Sequence, residues 1–266
     1  MKHWRRAGKA DLAGVEKFLR GRESRAAGLI ARLHGEAGLR LPSIFGLSGL
    51  WIRTEAEGPV EAAALGLAGG LWFVQLPSGG SDAAGLALAL AETSRRPAFA
   101  APRPSSIIGP ASSVAAFEAA LGLRPAHVVD YDLMERGPWP REESAPQEGG
   151  FGPDSSASLA DQAATRSRAA IGLWKAGPAD LGELLPLQAA YEMEEVVTPL
   201  RGFDEEACRS FFARNLALEL IVAARLQEGG RCVGKAGTNA RAFTLDQIGG
   251  VFVLPELRGR GIAAAM

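Results

Sequence analysis

The sequence predicts an α/β protein, α+β in the order of its parts and built on a mixed sheet. A small α/β N-terminal domain precedes a second domain that ends in an unfinished helix. Three observations predict this. Segments with helical apolar spacing alternate with short strand-like runs in both halves of the chain. A stretch that is poor in apolar residues separates the halves. The last line, Gly249 to Met266, runs strand, tight turn, glycine-rich loop and helix start.

The N-terminal domain is assigned to residues 1–137. Asp11 to His34 reads as helix, with Leu12, Val15, Phe18, Leu19, Ala26, Leu29, Ile30 and Leu33 on one stripe and an interruption at Gly21. Ser48 to Arg53 and Ala62 to Gln75 read as strands, the second broken at Gly69-Gly70. Ser81 to Thr93 reads as a helix with Ser81 as N-cap and Asp82 in the first turn. Ser105 to Ile108 is a short strand, Gly109-Pro110 a sharp turn, Val114 to Leu121 a helix, and Ala126 to Leu133 a closing strand.

Residues 138–165 carry Pro138, Pro140, Pro146, Gly149-Gly150 and Ser155-Ser156 among charges. Such a segment buries too little apolar surface to offset its ordering entropy, so it is assigned as a flexible linker, with Trp139 able to pin one end by packing. The second domain is assigned to 166–266. Ala179 to Tyr191 and Asp204 to Asn215 have helical spacing. Leu218 to Ala224 and Arg231 to Ala236 form a hairpin around Gln227 to Gly230, and Gln247 to Val253 is the next strand.

The chemistry concentrates in Val251-Phe252-Val253-Leu254-Pro255 followed by Arg258-Gly259-Arg260-Gly261-Ile262-Ala263. Glycines let the backbone approach a ligand closely. The free N–H groups and the positive dipole end of a helix start then suit a diphosphate. This segment resembles the acetyl-CoA signature of the GNAT family of N-acetyltransferases, Gln/Arg-x-x-Gly-x-Gly/Ala after a hydrophobic strand, which Arg258, Gly261 and Ala263 match. The resemblance extends over about residues 169–266. It is nearest to a bacterial subgroup with an additional N-terminal domain, through Glu194-Glu195-Val196, Lys235-Ala236 and Ser105-Ser106-Ile107-Ile108-Gly109-Pro110. By fold-level analogy the N-terminal domain is then a degenerate copy of the same fold.

The resemblance implies transfer of an acetyl group from acetyl-CoA to an amine of a small molecule or peptide. It implies that the backbone of Val251, Phe252 and Val253 holds the pantetheine arm and that Arg258 to Ala263 hold the pyrophosphate. The side chains of Arg258 and Arg260 either add charge to the phosphates or sit in solvent. An attacking amine must lose a proton, and Asp246 and Glu195 are the candidate bases. Asp246 lies near the family's acidic position. Counting back from the Val-Phe-Val segment puts Gln247 there instead, and one residue of slip changes the face. Glu192, Glu194 and Glu195 bind a cationic amine, relay a proton, or form a solvated helix face.

Composition bounds the rest. A net charge of −1 provides no basic field for nucleic acid. No apolar stretch is long enough to span a membrane. No signal peptide is expected, because the basic start is followed by Ala-Gly-Lys-Ala-Asp and not by an apolar core. Cys208 and Cys232 lack metal-ligand spacing and fit buried thiols in a reduced cytoplasmic location, with no metal. The family's fold continues beyond the helix begun at Ile262, so the chain reads as truncated inside the acetyl-CoA motif. Weak or absent activity follows, and Gln247 to Val253 becomes an unpaired edge that a second copy could cover in a homodimer. The competing expectation is a non-catalytic module that keeps acyl-CoA or ligand affinity in a degraded fold of this kind.

Overall fold

In a computed structural model the described residues are 3–35, 38–42, 48–55, 58–94, 101–129, 171–197, 202–227 and 230–266. The linker assigned to 138–165, with Trp139, lies outside them. The chain divides into two compact units, Met1–Leu133 with Asn239–Gln247, and Met134–Thr238 with Ile248–Met266.

The first unit opens with β1 (His3–Arg6), α1 (Leu12–Arg20) and α2 (Glu23–Leu33), the last two parted at Gly21-Arg22. A two-residue hairpin, β2 (His34–Gly35) with β3 (Gly38–Leu39), precedes β4 (Gly49–Thr54), β5 (Ala62–Gly66) and β6 (Leu71–Gln75). Then come α3 (Gly80–Ser94), β7 (Ser106–Ile108) and α4 (Ala111–Leu121). The sheet order is β1-β4-β5-β6-β7. Its pairs are antiparallel except β6–β7, which is parallel, so the sheet is mixed as the sequence predicts.

Strand alternation sends Leu50, Ile52, Ala63, Leu65 and Phe73 to a core with Val15, Leu19, Leu29 and Ile30 of α1 and α2. It sends Trp51, Ala64, Trp72 and Val74 to a core with Leu86, Leu90 and Phe117 of α3 and α4. Both faces of the sheet are therefore covered, which explains why all six residues of β4 are buried.

Two expectations need correction here. Ser81 is not the N-cap of α3. Gly79 takes a left-handed φ of 55° and the helix starts one residue earlier, so the fully buried Asp82 carboxylate reaches back to the Ser78 N–H at 2.8 Å. Asp82 also pairs with the buried Arg53 of β4. Ala126 to Val129 form no strand: past the left-handed Gly122 that ends α4 the chain stays exposed and pairs with no described strand. Residues 130–133 of that expected strand lie outside the described residues.

The segment 239–247 belongs to this unit. Ala240 and Ala242 join the α1/α2 core. The Glu23 carboxylate accepts the N–H groups of Thr244 and Leu245 and the Thr244 hydroxyl. Burial raises the Glu23 pKa, but these bonds outweigh it and hold the carboxyl below its ordinary value.

The second unit comprises β8 (Ile171–Ala176), α5 (Leu181–Tyr191), a π-turn at Glu192–Val196, and α6 (Glu205–Leu218) capped by Asp204. It continues with β9 (Ile221–Leu226), β10 (Cys232–Arg241), β11 (Asp246–Val253) and α7 (Ile262–Ala265). The order is β11-β10-β9-β8, with β8–β9 and β9–β10 antiparallel. Leu218 closes α6 instead of opening β9, because the helix runs on until Glu219 turns extended. β10 reaches Arg241, five residues beyond the expected end at Ala236.

The two units share one plan. Apart from the small β2–β3 hairpin of the first, each runs strand, 3-10 turn, two helices, three strands, a Leu-Pro turn and a helix start. Arg6-Ala7-Gly8-Lys9-Ala10-Asp11-Leu12 parallels Lys175-Ala176-Gly177-Pro178-Ala179-Asp180-Leu181. In both, the glycine N–H bonds the aspartate carboxylate three residues on, at 2.7 Å and 2.8 Å.

Asp82→Ala leaves the Arg53 guanidinium buried without its main counter-charge. We expect a loss of about 3–5 kcal/mol, read by urea denaturation. Glu16→Ala, which removes the exposed ion pair to Arg20, should cost less than about 1 kcal/mol.

Candidate functional site

The candidate site is the end of β11 and the loop that follows it. β11 alternates exposed and half-buried residues up to Gly249. Gly250 then takes a φ of 58° in mid-strand. The pleat resets there, so Ile248 and Val251, three residues apart, are both exposed, at 71% and 43%. This is the signature of a glycine bulge. Beyond it Phe252 enters the core formed with α5 and α6, while Val253 packs on the opposite face with Val233 and Ile262. The bulge gives Asp246, Ile248 and Val251 a common parity and puts Gln247 with Phe252.

β11 pairs with β10 and has no second neighbour among the described strands. Leu254 extends the pairing by donating to Val233 O at 3.0 Å. Pro255–Leu257 form one 3-10 turn, and the Arg258 N–H closes it on Pro255 O. Gly259 and Gly261 both take left-handed φ values of 74°, and a Cβ at either would meet open space. Two such reversals within three residues bend the backbone into a cup. Gly261 N-caps α7, whose first helical N–H bond runs from Ala265 to Gly261 O. The amides before Ala265 therefore have no helical acceptor. Buried Ile262 anchors the far wall, and Ala263 is exposed.

The charged side chains divide in role. The Arg258 Nε donates to Val253 O at 2.9 Å, its Nη2 meets Glu194 at 2.7 Å, and its guanidinium lies over the Phe252 ring. Arg258 thus ties the loop to the strand end and to the π-turn. The ion pair with Glu194 raises the Arg258 pKa, and the bond from Arg258 lowers that of Glu194. Arg260 and Glu195 are exposed. Glu192 turns to Gln188, which donates to it at 2.9 Å. The acidic run therefore faces three ways, which its spacing alone does not resolve.

Asp246 is exposed beside Arg241 and falls in the segment counted with the first unit, whereas Glu195 belongs to the second. The two candidate bases are not assembled in one unit. The residues expected to hold the cofactor, Val251, Phe252, Val253 and Arg258 to Ala263, follow one another along the end of β11 and its loop, with the side chains of Phe252, Val253 and Ile262 buried.

Two features carried too weak a signal in the sequence. One is the Gly250 bulge, hinted at by a glycine doublet inside a strand. The other is Lys235, buried on β10 with its Nζ donating to Gly250 O at 2.9 Å. Burial drives the Lys235 pKa down to about 8. Burial likewise pushes both thiols, Cys208 and Cys232, up to about 11, so neither is a nucleophile near neutrality. No group of three metal-ligating side chains occurs among the described residues. No described helix is long and apolar enough to cross a membrane.

The first unit's counterpart of the loop, Pro77-Ser78-Gly79-Gly80, is shorter, and Asp82 places the protein's own carboxylate at its helix start. A cavity of about 630 Å³ beside it, lined by Lys17, Phe18, Arg22, Arg53, Glu61 and Ser78 among others, contains none of the sequence-predicted residues.

No protein-family model matches the chain, and no curated protein is similar to it. Solved structures do match. A GNAT family acetyltransferase from Brucella melitensis in complex with acetyl-CoA is 20% identical over 37% of this chain and 64% of its own, with a TM-score of 0.28. An acetyltransferase of the GNAT family from Streptococcus pneumoniae is 17% identical over 36% of this chain and 61% of its own, with a TM-score of 0.26. A tandem GNAT protein from the clavulanic acid biosynthesis pathway is 15% identical over 99% of this chain and 82% of its own, with a TM-score of 0.39. With TM-scores below 0.5, these likenesses leave the site's own geometry to carry its function.

Gly250→Ala places a Cβ in left-handed backbone, 3.4 Å from the Lys235 Nζ. The expected cost is about 1–2 kcal/mol, seen as a lower urea midpoint with an unchanged slope.

Proposed function

We propose that this protein binds acetyl-CoA in the second unit and transfers its acetyl group to an amine, as an N-acetyltransferase of GNAT type. The observation that carries this is the continuous path from the bulged edge of β11 into a cup formed by two left-handed glycines. An extended pantetheine arm is rich in amides, and the open backbone edge at Val251, Phe252 and Val253 offers it matching partners. A diphosphate needs converging N–H donors and room, and Gly259 to Ala263 supply both. Arg258 holds the cup to the strand, and Arg260 is the cation left for the phosphates.

The reaction asks little covalent work of the protein. A neutral amine attacks the thioester carbon, the carbonyl oxygen gains charge that a strand N–H can meet, and the thiolate of coenzyme A leaves. Asp246 shares the parity of Val251, and Glu195 sits on the π-turn tied to the loop. Each is a candidate for the amine's proton, and amidation of the true base should lower turnover by about a hundredfold or more. The acceptor is an amine of a small molecule or peptide, with no role for nucleic acid or a membrane.

A specific observation favours a second reading, a binding module without turnover. Both candidate carboxylates are exposed, and Asp246 is engaged by Arg241. Turnover separates the two: release of coenzyme A thiol with a panel of amines marks an enzyme, and saturable binding without release marks a module.

Titration of acetyl-CoA into the full chain by calorimetry tests the site itself. We expect saturable binding that Gly261→Glu abolishes, because that change adds strain and a like charge where the phosphates go. Gly79→Glu in the first unit should leave the affinity unchanged. Equal binding by the Gly261→Glu protein would refute the cup as the ligand site.

A further inference from the structure

Among the described residues of the second unit, Lys235 is a buried cation whose place no fold requirement explains. Its side chain leaves the middle of β10 and ends between three elements. From β11 it meets the Gly250 carbonyl oxygen at 2.9 Å. From α5 and its π-turn it meets the Tyr191 ring at 4.5 Å and the field of Glu192. From α6 it meets the Phe212 ring at 5.8 Å and the field of Cys208. Buried ammonium groups are expensive, and this one has aromatic faces and a single carbonyl as its near partners.

The first unit provides an internal control. There the strand register pairs Ala63 with Gln75, which sets Ala62 opposite Leu76. In the second unit Leu254 bonds Val233. Counting back from Leu76-Pro77 as from Leu254-Pro255 reaches Ala64 and Trp72, but these face α3 and α4, whereas Lys235 faces α5 and α6. Toward α1 and α2, the matching helices, β5 and β6 send Ala63, Leu65 and Phe73. That face is apolar, and β6 has no positive-φ glycine. The lysine and the bulge thus occur together in the unit with an open cup. Both are missing from the unit whose helix start is filled by Asp82.

We infer that Lys235 is the positioning residue of the acetyl-CoA strand: its ammonium grips the Gly250 carbonyl and so fixes the bulge that aims the backbone edge of Val251 to Val253. The role rests on the proposed function, since it assigns a second residue to the same site. It also explains why a charge is kept where it costs stability. A lysine whose folded pKa is depressed to about 8 from 10.5 binds fewer protons than the unfolded chain between those values. Stability therefore rises with pH across that window, and the charged form is the destabilising one at neutrality. Strand geometry and stability consequently pull in opposite directions at this residue, which a purely structural lysine would not show.

The test uses the full chain and two readouts. In Lys235→Met, amide hydrogen exchange at Val251 and Phe252 should accelerate roughly tenfold or more at neutral pH, while the thermal midpoint holds or rises. Acetyl-CoA affinity should fall roughly tenfold, and the weakening that the unsubstituted protein shows as pH rises through about 8 should vanish in the variant. Lys235→Arg, which keeps the charge, should recover part of the affinity. Unchanged exchange together with unchanged affinity and pH profile in Lys235→Met overturns the assignment, as does a destabilised variant with intact affinity. Failure of the unsubstituted protein to bind acetyl-CoA, with exchange still accelerated in the variant, sinks the ligand reading and upholds the hold on the bulge.

Discussion

The contact between the Lys235 ammonium and the Gly250 carbonyl is the constraint around which the second unit is arranged. A strand in regular pleat would carry its alternation straight through to Leu254. Reversing φ at one glycine changes the parity, so Phe252 enters the helix-covered core and Val253 the opposite one. Those two anchors hold the strand end in place. Arg258 then fastens the loop to that end through Val253 O, and Glu194 fastens Arg258. Strand, bulge, loop and π-turn form one chain of short-range contacts, each with an identified donor and acceptor.

The first unit shows what the same plan becomes without those parts. It has the strand–helix–helix opening, the Gly-to-Asp turn, three meandering strands and the Leu-Pro exit. It then spends its helix start on a buried Asp82–Arg53 pair, and its strand into the Leu-Pro exit has no positive-φ glycine. The first unit answers the open backbone groups of its helix start with an internal anion, and the second leaves them available. Two runs of one topology in one chain thus differ at the helix start and at the strand that leads into it.

Much of this was legible in the sequence. The helical stripes from Leu12 to Leu33, the strands expected at Ser48 to Arg53 and Gln247 to Val253, each one residue off at an end or both, and the Arg-Gly-Arg-Gly loop all follow from periodicity and glycine placement. Errors came where local preference met a longer-range competitor. Ser81 has the better cap chemistry, yet the Asp82 carboxylate, tied to Arg53 from a distant strand, sets the helix start. Val128 and Val129 have strand propensity but no partner among the described strands. The face of Asp246 could not be read, because counting parity along β11 requires knowing that Gly250 is a bulge. Lys235 looks like any lysine in a hairpin until three elements close over it.

Gly259 and Gly261 are glycines for their torsion angles alone, since a Cβ on either would touch nothing. Positive φ is the ordinary state of a residue of opposite handedness. D-Alanine at either position would therefore keep the cup, remove conformational freedom from the unfolded chain and leave the ligand's space open. The sequence makes such a molecule accessible to synthesis. Cys232 opens β10, so everything from there to Met266 is a single peptide with an N-terminal cysteine, suited to chemical ligation onto the rest of the chain. The torsional and the steric demands on the loop could then be varied one at a time, which no genetically encoded residue allows.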